Sequence, residues 1–331
     1  MMGSPFQLLP QVSPITELHD HTPVIVLFEL LAGLQHVSSA GAWHTKSRGG
    51  GHFVIAMIRQ RYRLKKKLAN ALYGTVCLCE DTYRNNEPVA IKQASLELVN
   101  RLLHTNRNAD NPWRERRAII TLLELPPHPN VVNFREGFLH NESWFVVMEY
   151  CPEGDLLERV QRSSNRRLPE AEALHLFREI VRGLHFLHVN GIAHRDVSLE
   201  NILLRDGVCK ISDFGLTIDA DRMCSGVVGK AYYMAPEVAE QDKYDPKSAD
   251  MWSLGILLFV MFSGSPLVQR ASGRDNDFSA FQQLGVHGVI ETWKMTSFIS
   301  VAVRDLMAAL LQCDPTKRLT TAEMLANPLL Q

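Results

Sequence analysis

The chain has 331 residues, 46% of them hydrophobic, and a formal net charge of −1. That length carries one large two-lobed domain or two ordinary ones. The near-neutral balance excludes bulk electrostatic attraction to nucleic acid or to an anionic membrane surface.

Residues 1–52 stand apart. They carry Pro5, Pro10, Pro14 and Pro23, several histidines and the run Gly49-Gly50-Gly51, and read as a flexible extension. Within it the apolar stretch Pro23 to Val37 either packs as a short helix or stays unstructured, and no functional role is assigned to it. It falls short of the ~18 consecutive apolar residues of a membrane helix and is interrupted by Glu29. No basic residue precedes it, which argues against a secretory signal. The six cysteines are scattered, and the one-residue gap between Cys77 and Cys79 fits neither a zinc nor a thioredoxin-type spacing. Free thiols in a reducing compartment, cytoplasmic or nuclear, are expected.

From about residue 53 the pattern becomes strand-rich. Leu64 to Asp81 and Glu87 to Ala94 read as strands joined by a polar turn at Arg84-Asn85-Asn86. A polar link from Leu96 to Asn111 precedes a charged helix from Pro112 to about Leu125, with Pro112 suited to a first helical turn. His128 to Cys151 reads as two strands around His140-Asn141-Glu142. After Gly154 helical periodicity takes over, as in Ala171–Val189 and Ala249–Phe262.

Two polar turns lie in the helical half: His194-Arg195-Asp196-Val197-Ser198-Leu199-Glu200-Asn201 and Asp213-Phe214-Gly215, separated by the apolar Ile202-Leu203-Leu204. Two carboxylates and an amide so placed can hold Mg²⁺ against a triphosphate and leave one Asp to accept a proton. With Val89-Ala90-Ile91-Lys92 upstream and Met234-Ala235-Pro236-Glu237 downstream, these stretches resemble the eukaryotic protein kinases of serine/threonine type. The resemblance covers roughly residues 60–331. It implies an α+β, two-lobed fold: a small antiparallel-sheet N-lobe with one main helix (about 53–148), a hinge (about 149–154) and a larger, mostly helical C-lobe (about 155–331).

By that resemblance Asp196 is the base, and Asn201 and Asp213 hold Mg²⁺. Lys92 neutralises the ATP phosphates, with Glu115 as its helical partner and Glu124 as the alternative. Met148 is the gatekeeper, the backbone of Glu149 and Cys151 pairs with adenine, and Val76, Ala90 and Leu203 enclose the base. Asp155 receives the ribose hydroxyls or caps the helix that follows; the two roles are compatible. His194 and Phe214 pack the loops, Asp250 anchors them from beneath, and Glu237 pairs with Arg318. Arg195 marks the class whose base loop can meet an activating phosphate, for which Ser225 and Thr217 are the candidates.

The sequence also departs from the family. The glycine loop reads Ala69-Asn70-Ala71-Leu72-Tyr73-Gly74-Thr75-Val76, so only Gly74 of the three glycines survives. Alanine tolerates an extended hairpin but not positive φ, which implies slower nucleotide handling rather than lost binding. Tyr73 is expected over the phosphates. The lysine usually found two residues after the base is Ser198, and the usual Gly-Thr of the docking loop is Gly229-Lys230. Two readings follow: Lys230 reaches across to Ser198 and supplies an ammonium near the γ-phosphate, or it points to solvent and catalysis is slower. The expected cofactors are ATP and Mg²⁺, and the expected partner is a protein substrate, with basic residues before the acceptor received by Glu200 and Asp155. The competing function is a nucleotide-binding pseudokinase that acts as a scaffold.

Overall fold

A computed structural model describes residues 44–46, 55–105 and 111–331. The apolar stretch Pro23–Val37, and nearly all of the expected extension 1–52, lie outside the described residues.

The first half builds one antiparallel sheet from β1 (His44–Lys46), β2 (Ile55–Ile58), β3 (Tyr62–Ala71), β4 (Gly74–Asp81), β5 (Glu87–Ser95), β6 (Phe134–His140) and β7 (Ser143–Glu149), in the order β1-β2-β3-β4-β5-β7-β6. β1 falls inside the stretch expected to be flexible; its backbone pairs with β2, His44 opposite Met57 and Lys46 opposite Ile55. The β4–β5 and β6–β7 turns place Asn85, Asn86, Asn141 and Glu142 at positive φ, a conformation that asparagine tolerates best.

The period-2 alternation of strands divides the sheet's side chains between two faces. Ile58, Tyr62, Cys77, Cys79, Val89, Ile91, Phe145 and Val147 form an apolar cluster on one face. Residues opposite one another in register share a face. Val76 stands opposite Lys92, Ala90 opposite Met148, and Lys92 opposite Val146, all on the other face, which lines a cleft.

Among the described residues a shorter helix precedes the main helix that accompanies the sheet. The expected polar link is helical over α1 (Leu96–Thr105), because apolar residues recur at 96, 99, 102 and 103. Val99 is buried against Ala94 and Tyr73. Then α2 (Pro112–Glu124) begins with Asn111 as its cap, the Asn111 side chain accepting from Trp113 N at 2.9 Å.

The second half is helical: α3 (Leu156–Arg162), α4 (Glu170–Val189), α5 (Pro236–Ala239), α6 (Pro246–Ser263), α7 (Asn276–Thr292), α8 (Val301–Leu310) and α9 (Thr321–Ala326). Short strand pairs carry its polar loops: β8 (Ile192–Ala193) with β11 (Ile218–Asp219), and β9 (Ile202–Arg205) with β10 (Val208–Ile211). α6 carries apolar residues on every side, as a fully surrounded helix must, with Asp250 and Ser253 the polar exceptions, and is buried without interruption from Ala249 to Phe262. Arg318 reaches Glu237 with two hydrogen bonds, 2.6 and 2.7 Å, and stacks over Trp252 of α6. Its side chain is fully buried, so removing one partner strands a charge. Glu237→Ala is expected to lower unfolding free energy by about 3–5 kcal/mol in a denaturant titration. A loss below about 1 kcal/mol would mean that the pair contributes no more than an exposed one.

Candidate active site

The cleft is anchored by Asp250 in α6. Its Oδ1 accepts from Arg195 N (2.7 Å), and its Oδ2 accepts from His194 N (2.8 Å) and bonds His188 Nε2 (2.9 Å). His194 Nδ1 accepts from Asp196 N at 3.3 Å, so the proton sits on Nε2, which donates to Ser212 O at 3.0 Å. Its ring meets Phe214 edge-on at 5.4 Å. Arg195 and Asp213 both sit in the left-handed region, at φ 62° and 60°. Non-glycine residues hold that conformation only where the surroundings enforce it.

Lys92 and Glu115 come together: Lys92 Nζ lies 2.7 Å from Glu115 Oε1 and 3.2 Å from Asp213 Oδ1. One ammonium thus serves two carboxylates in different environments. Burial pushes the Glu115 carboxyl up, against the pull of Lys92. The Lys92 charge holds Asp213, which lines the open cleft, down at about 2.

Asp196 is met from two sides. Asn201 Nδ2 donates to its backbone O (2.8 Å) and to Oδ2 (2.7 Å). Lys230 Nζ donates to the same Oδ2 (2.9 Å) and to Ser198 Oγ (2.9 Å), and Lys230 N donates to Oδ1 (3.2 Å). Because the Asn201 amide nitrogen is engaged, its carbonyl oxygen remains for a cation. With ionised Asp213 it forms a pair of hard oxygen donors of the kind that Mg²⁺ takes alongside phosphate oxygens.

At the far end of the cleft Met148 is partly buried, and Glu149 and Cys151 are buried. The Glu149 side chain does more than the sequence indicated. It accepts from Asn133 N (2.8 Å) and forms ion pairs with Arg205 (3.1 Å) and Lys210 (2.9 Å), tying the inter-lobe strand to β9 and β10. A lone Glu ahead of Tyr150-Cys151-Pro152 carries no sequence signal for such a tie. Asp155 caps α3 by accepting from Glu158 N at 2.8 Å and pairs through its backbone with Leu203. Burial pushes its carboxyl up to about 6.

Ala69 and Ala71 lie in extended β3, opposite Val76 and Gly74, and neither has positive φ. Gly74 is different: an added Cβ would stand 2.2 Å from Gln93 O, so the surviving glycine is the one whose hydrogen fits against β5. Tyr73 does not cover the cleft as expected. It is buried beneath α1 with Ala94 and Val99, because the helix supplies an apolar seat that the sequence reading lacked. Thr217 is likewise corrected as a regulatory candidate: it is buried, and its hydroxyl donates to Phe214 O at 2.8 Å, so it is packing rather than an accessible acceptor. Ser225 is exposed. Arg195 donates from Nε to Leu216 O (2.7 Å) and from Nη1 to Tyr244 Oη (3.4 Å), while its buried Nη2 has no partner among the described residues.

A family model described as protein kinase domain matches residues 62–330. Calcium-dependent protein kinase 24 of Oryza sativa subsp. japonica is 34% identical over 284 residues, which cover 82% of this chain and 51% of that protein. CBL-interacting protein kinase 31 of the same plant is 31% identical, over 81% of this chain and 57% of that protein. Calcium-dependent protein kinase 29 of Arabidopsis thaliana is 31% identical, over 81% and 48%. The chain spans about half the length of the curated relatives it matches. With this match over most of its length, and the cleft built as described, the chain belongs to the protein kinase family.

Proposed function

We propose that the chain is a Mg²⁺- and ATP-dependent serine/threonine protein kinase. The observation that carries this is the Lys92–Glu115 ion pair formed with Asp213 beside it, because phosphoryl transfer in this family needs that pair in place together with a metal-binding Asp. Asp196 orients the acceptor hydroxyl. It takes the proton as that oxygen bonds to the γ-phosphorus and the bond from phosphorus to the β–γ bridging oxygen breaks, its electron pair leaving with ADP. Lys92 binds the α- and β-phosphates, and Asn201 and Asp213 hold Mg²⁺. When bound, Mg²⁺ neutralises charge on the phosphate oxygens. The backbone of Glu149 and Cys151 holds adenine, with Val76, Ala90, Met148 and Leu203 around it.

The acceptor is a serine or threonine in a protein with Arg or Lys upstream of it. Support comes from Glu200 and Asp155, two carboxylates near enough for the charge of one to act on the other and so able together to attract a basic side chain. A phosphate on exposed Ser225 is the proposed activator, and the unpartnered Arg195 Nη2 is its counterpart. A reducing compartment such as the cytoplasm suits six free cysteines, five of them buried. No helix among the described residues is long and apolar enough to cross a membrane.

With radiolabelled ATP, Mg²⁺ and a serine/threonine peptide library, the wild-type chain should label peptides with Arg or Lys before the acceptor. Asp196→Asn should lose at least about 10²-fold in rate. Equal labelling by both would reduce the chain to a nucleotide-binding scaffold, and a flat upstream profile would remove the basic preference. Nucleotide affinity should depend on pH through Asp155. The ionised carboxylate accepts ribose hydroxyls, and the protonated form, dominant below about 6, does so poorly. Affinity for ATP should therefore rise between pH 5 and pH 7, with an inflection at about 6. Asp155→Asn, which preserves the helix cap, should lose that inflection. An unchanged inflection in the variant would assign it elsewhere.

A further inference from the structure

We propose that Lys230, carried on the activation segment, supplies the ammonium that acts on the γ-phosphate, and that Ser198 is the positioning residue that seats it. This rests on the reading of the chain as an active kinase.

Ser198 is fully buried, so its hydroxyl needs a partner. It has one in Lys230 Nζ at 2.9 Å, which lies equally close to Asp196 Oδ2. The ammonium is therefore fixed beside the base by two acceptors, and its own backbone N–H holds the other carboxylate oxygen at 3.2 Å. Burial would lower the Lys230 ammonium, but Asp196 and Glu200 outweigh that and hold it above its ordinary value, so it is charged at neutral pH. A γ-phosphate passing to a hydroxyl on Asp196 must lie between Asp196 and the metal carboxylate Asp213. An ammonium bonded to Asp196 stands beside that path, where negative charge develops on the transferring group.

The short Ser198 side chain leaves the space that the Lys230 stem crosses. The approach of the two loops depends on Gly229, at φ 87°, where an added Cβ would stand 2.7 Å from Arg195 O. This arrangement changes what controls the charge. An ammonium rooted in the base loop would stay there whatever the activation segment does. Here displacement of residues 229–230 would withdraw it, so the docked segment itself completes the site. In the reaction Lys230 transfers no proton. It donates N–H bonds to a γ-phosphate oxygen while the hydroxyl proton goes to Asp196 and the bridging electron pair leaves with ADP.

The test transposes the lysine. Steady-state rates with Mg²⁺-ATP and the preferred library peptide are compared for wild type, Lys230→Thr and the double variant Ser198→Lys/Lys230→Thr. Lys230→Thr should lower kcat about 10²-fold, with KM for ATP changed far less. The double variant, which returns an ammonium to the base loop, should recover to within about tenfold of wild type. The assignment is overturned if Lys230→Thr stays within a factor of two of wild type. It is equally overturned if the double variant, melting at the wild-type temperature, is as slow as the single one. A wild-type chain that labels no more than Asp196→Asn would instead overturn the kinase reading itself, a result separable from both.

Discussion

The Asp250 carboxylate, buried in the second turn of α6, is the fixed point from which the cleft is built. It takes the backbone N–H groups of His194 and Arg195 and the ring of His188, three donors from two other parts of the fold. Each donor left unsatisfied at that depth would cost about 1–3 kcal/mol, so the base loop has little freedom to adopt another path. The positive φ of Arg195 is held by this grip. From it follow the tautomer of His194, the seat of Phe214 and the position of Asp196. The base loop thus hangs from one carboxylate on a largely apolar helix.

The first half contributes by a different physics. There the period-2 alternation of β4, β5 and β7 sorts side chains, sending Val89 and Ile91 into the apolar cluster and Ala90 and Lys92 into the cleft. Lys92 is then stretched between a buried carboxylate on α2 and Asp213 in the cleft. That contact joins the sheet, the helix and the polar loop after β10. The hinge adds a second tie through Glu149, Arg205 and Lys210.

Much of this was legible in the sequence because it depends on short motifs with fixed spacing. Lys92 stands on β5, and Asp196, Asn201 and Asp213 stand on short loops pinned between β8, β9 and β10, so their separation along the chain carries the geometry. What was not legible depends on contacts between distant segments. α1 passed for a polar link because its apolar residues are interspersed with Glu97, Asn100 and Arg101, and only the seat offered by Ala94 and Tyr73 reveals their purpose. Thr217 has no local feature that marks it as buried; its hydroxyl is consumed by Phe214 O. The side-chain role of Glu149 needs Arg205 and Lys210, 56 and 61 positions later. The alanines of the glycine loop were readable as tolerable. That Gly74 alone survives needed the 2.2 Å approach of Gln93 O to explain it.

The least ordinary feature is the exchange at 198 and 230. A serine where a lysine is expected and a lysine where a threonine is expected look like two losses when read singly. In three dimensions Lys230 Nζ bonds both Ser198 Oγ and Asp196 Oδ2, and the pair places one ammonium on the activation segment. The most direct measurement is a crystal structure with ADP, Mg²⁺ and a planar metal-fluoride mimic of the transferring phosphoryl group. Lys230 Nζ should lie within about 3 Å of the mimic while keeping its contact to Ser198 Oγ. An ammonium turned to solvent, with no contact to the mimic, would contradict the account.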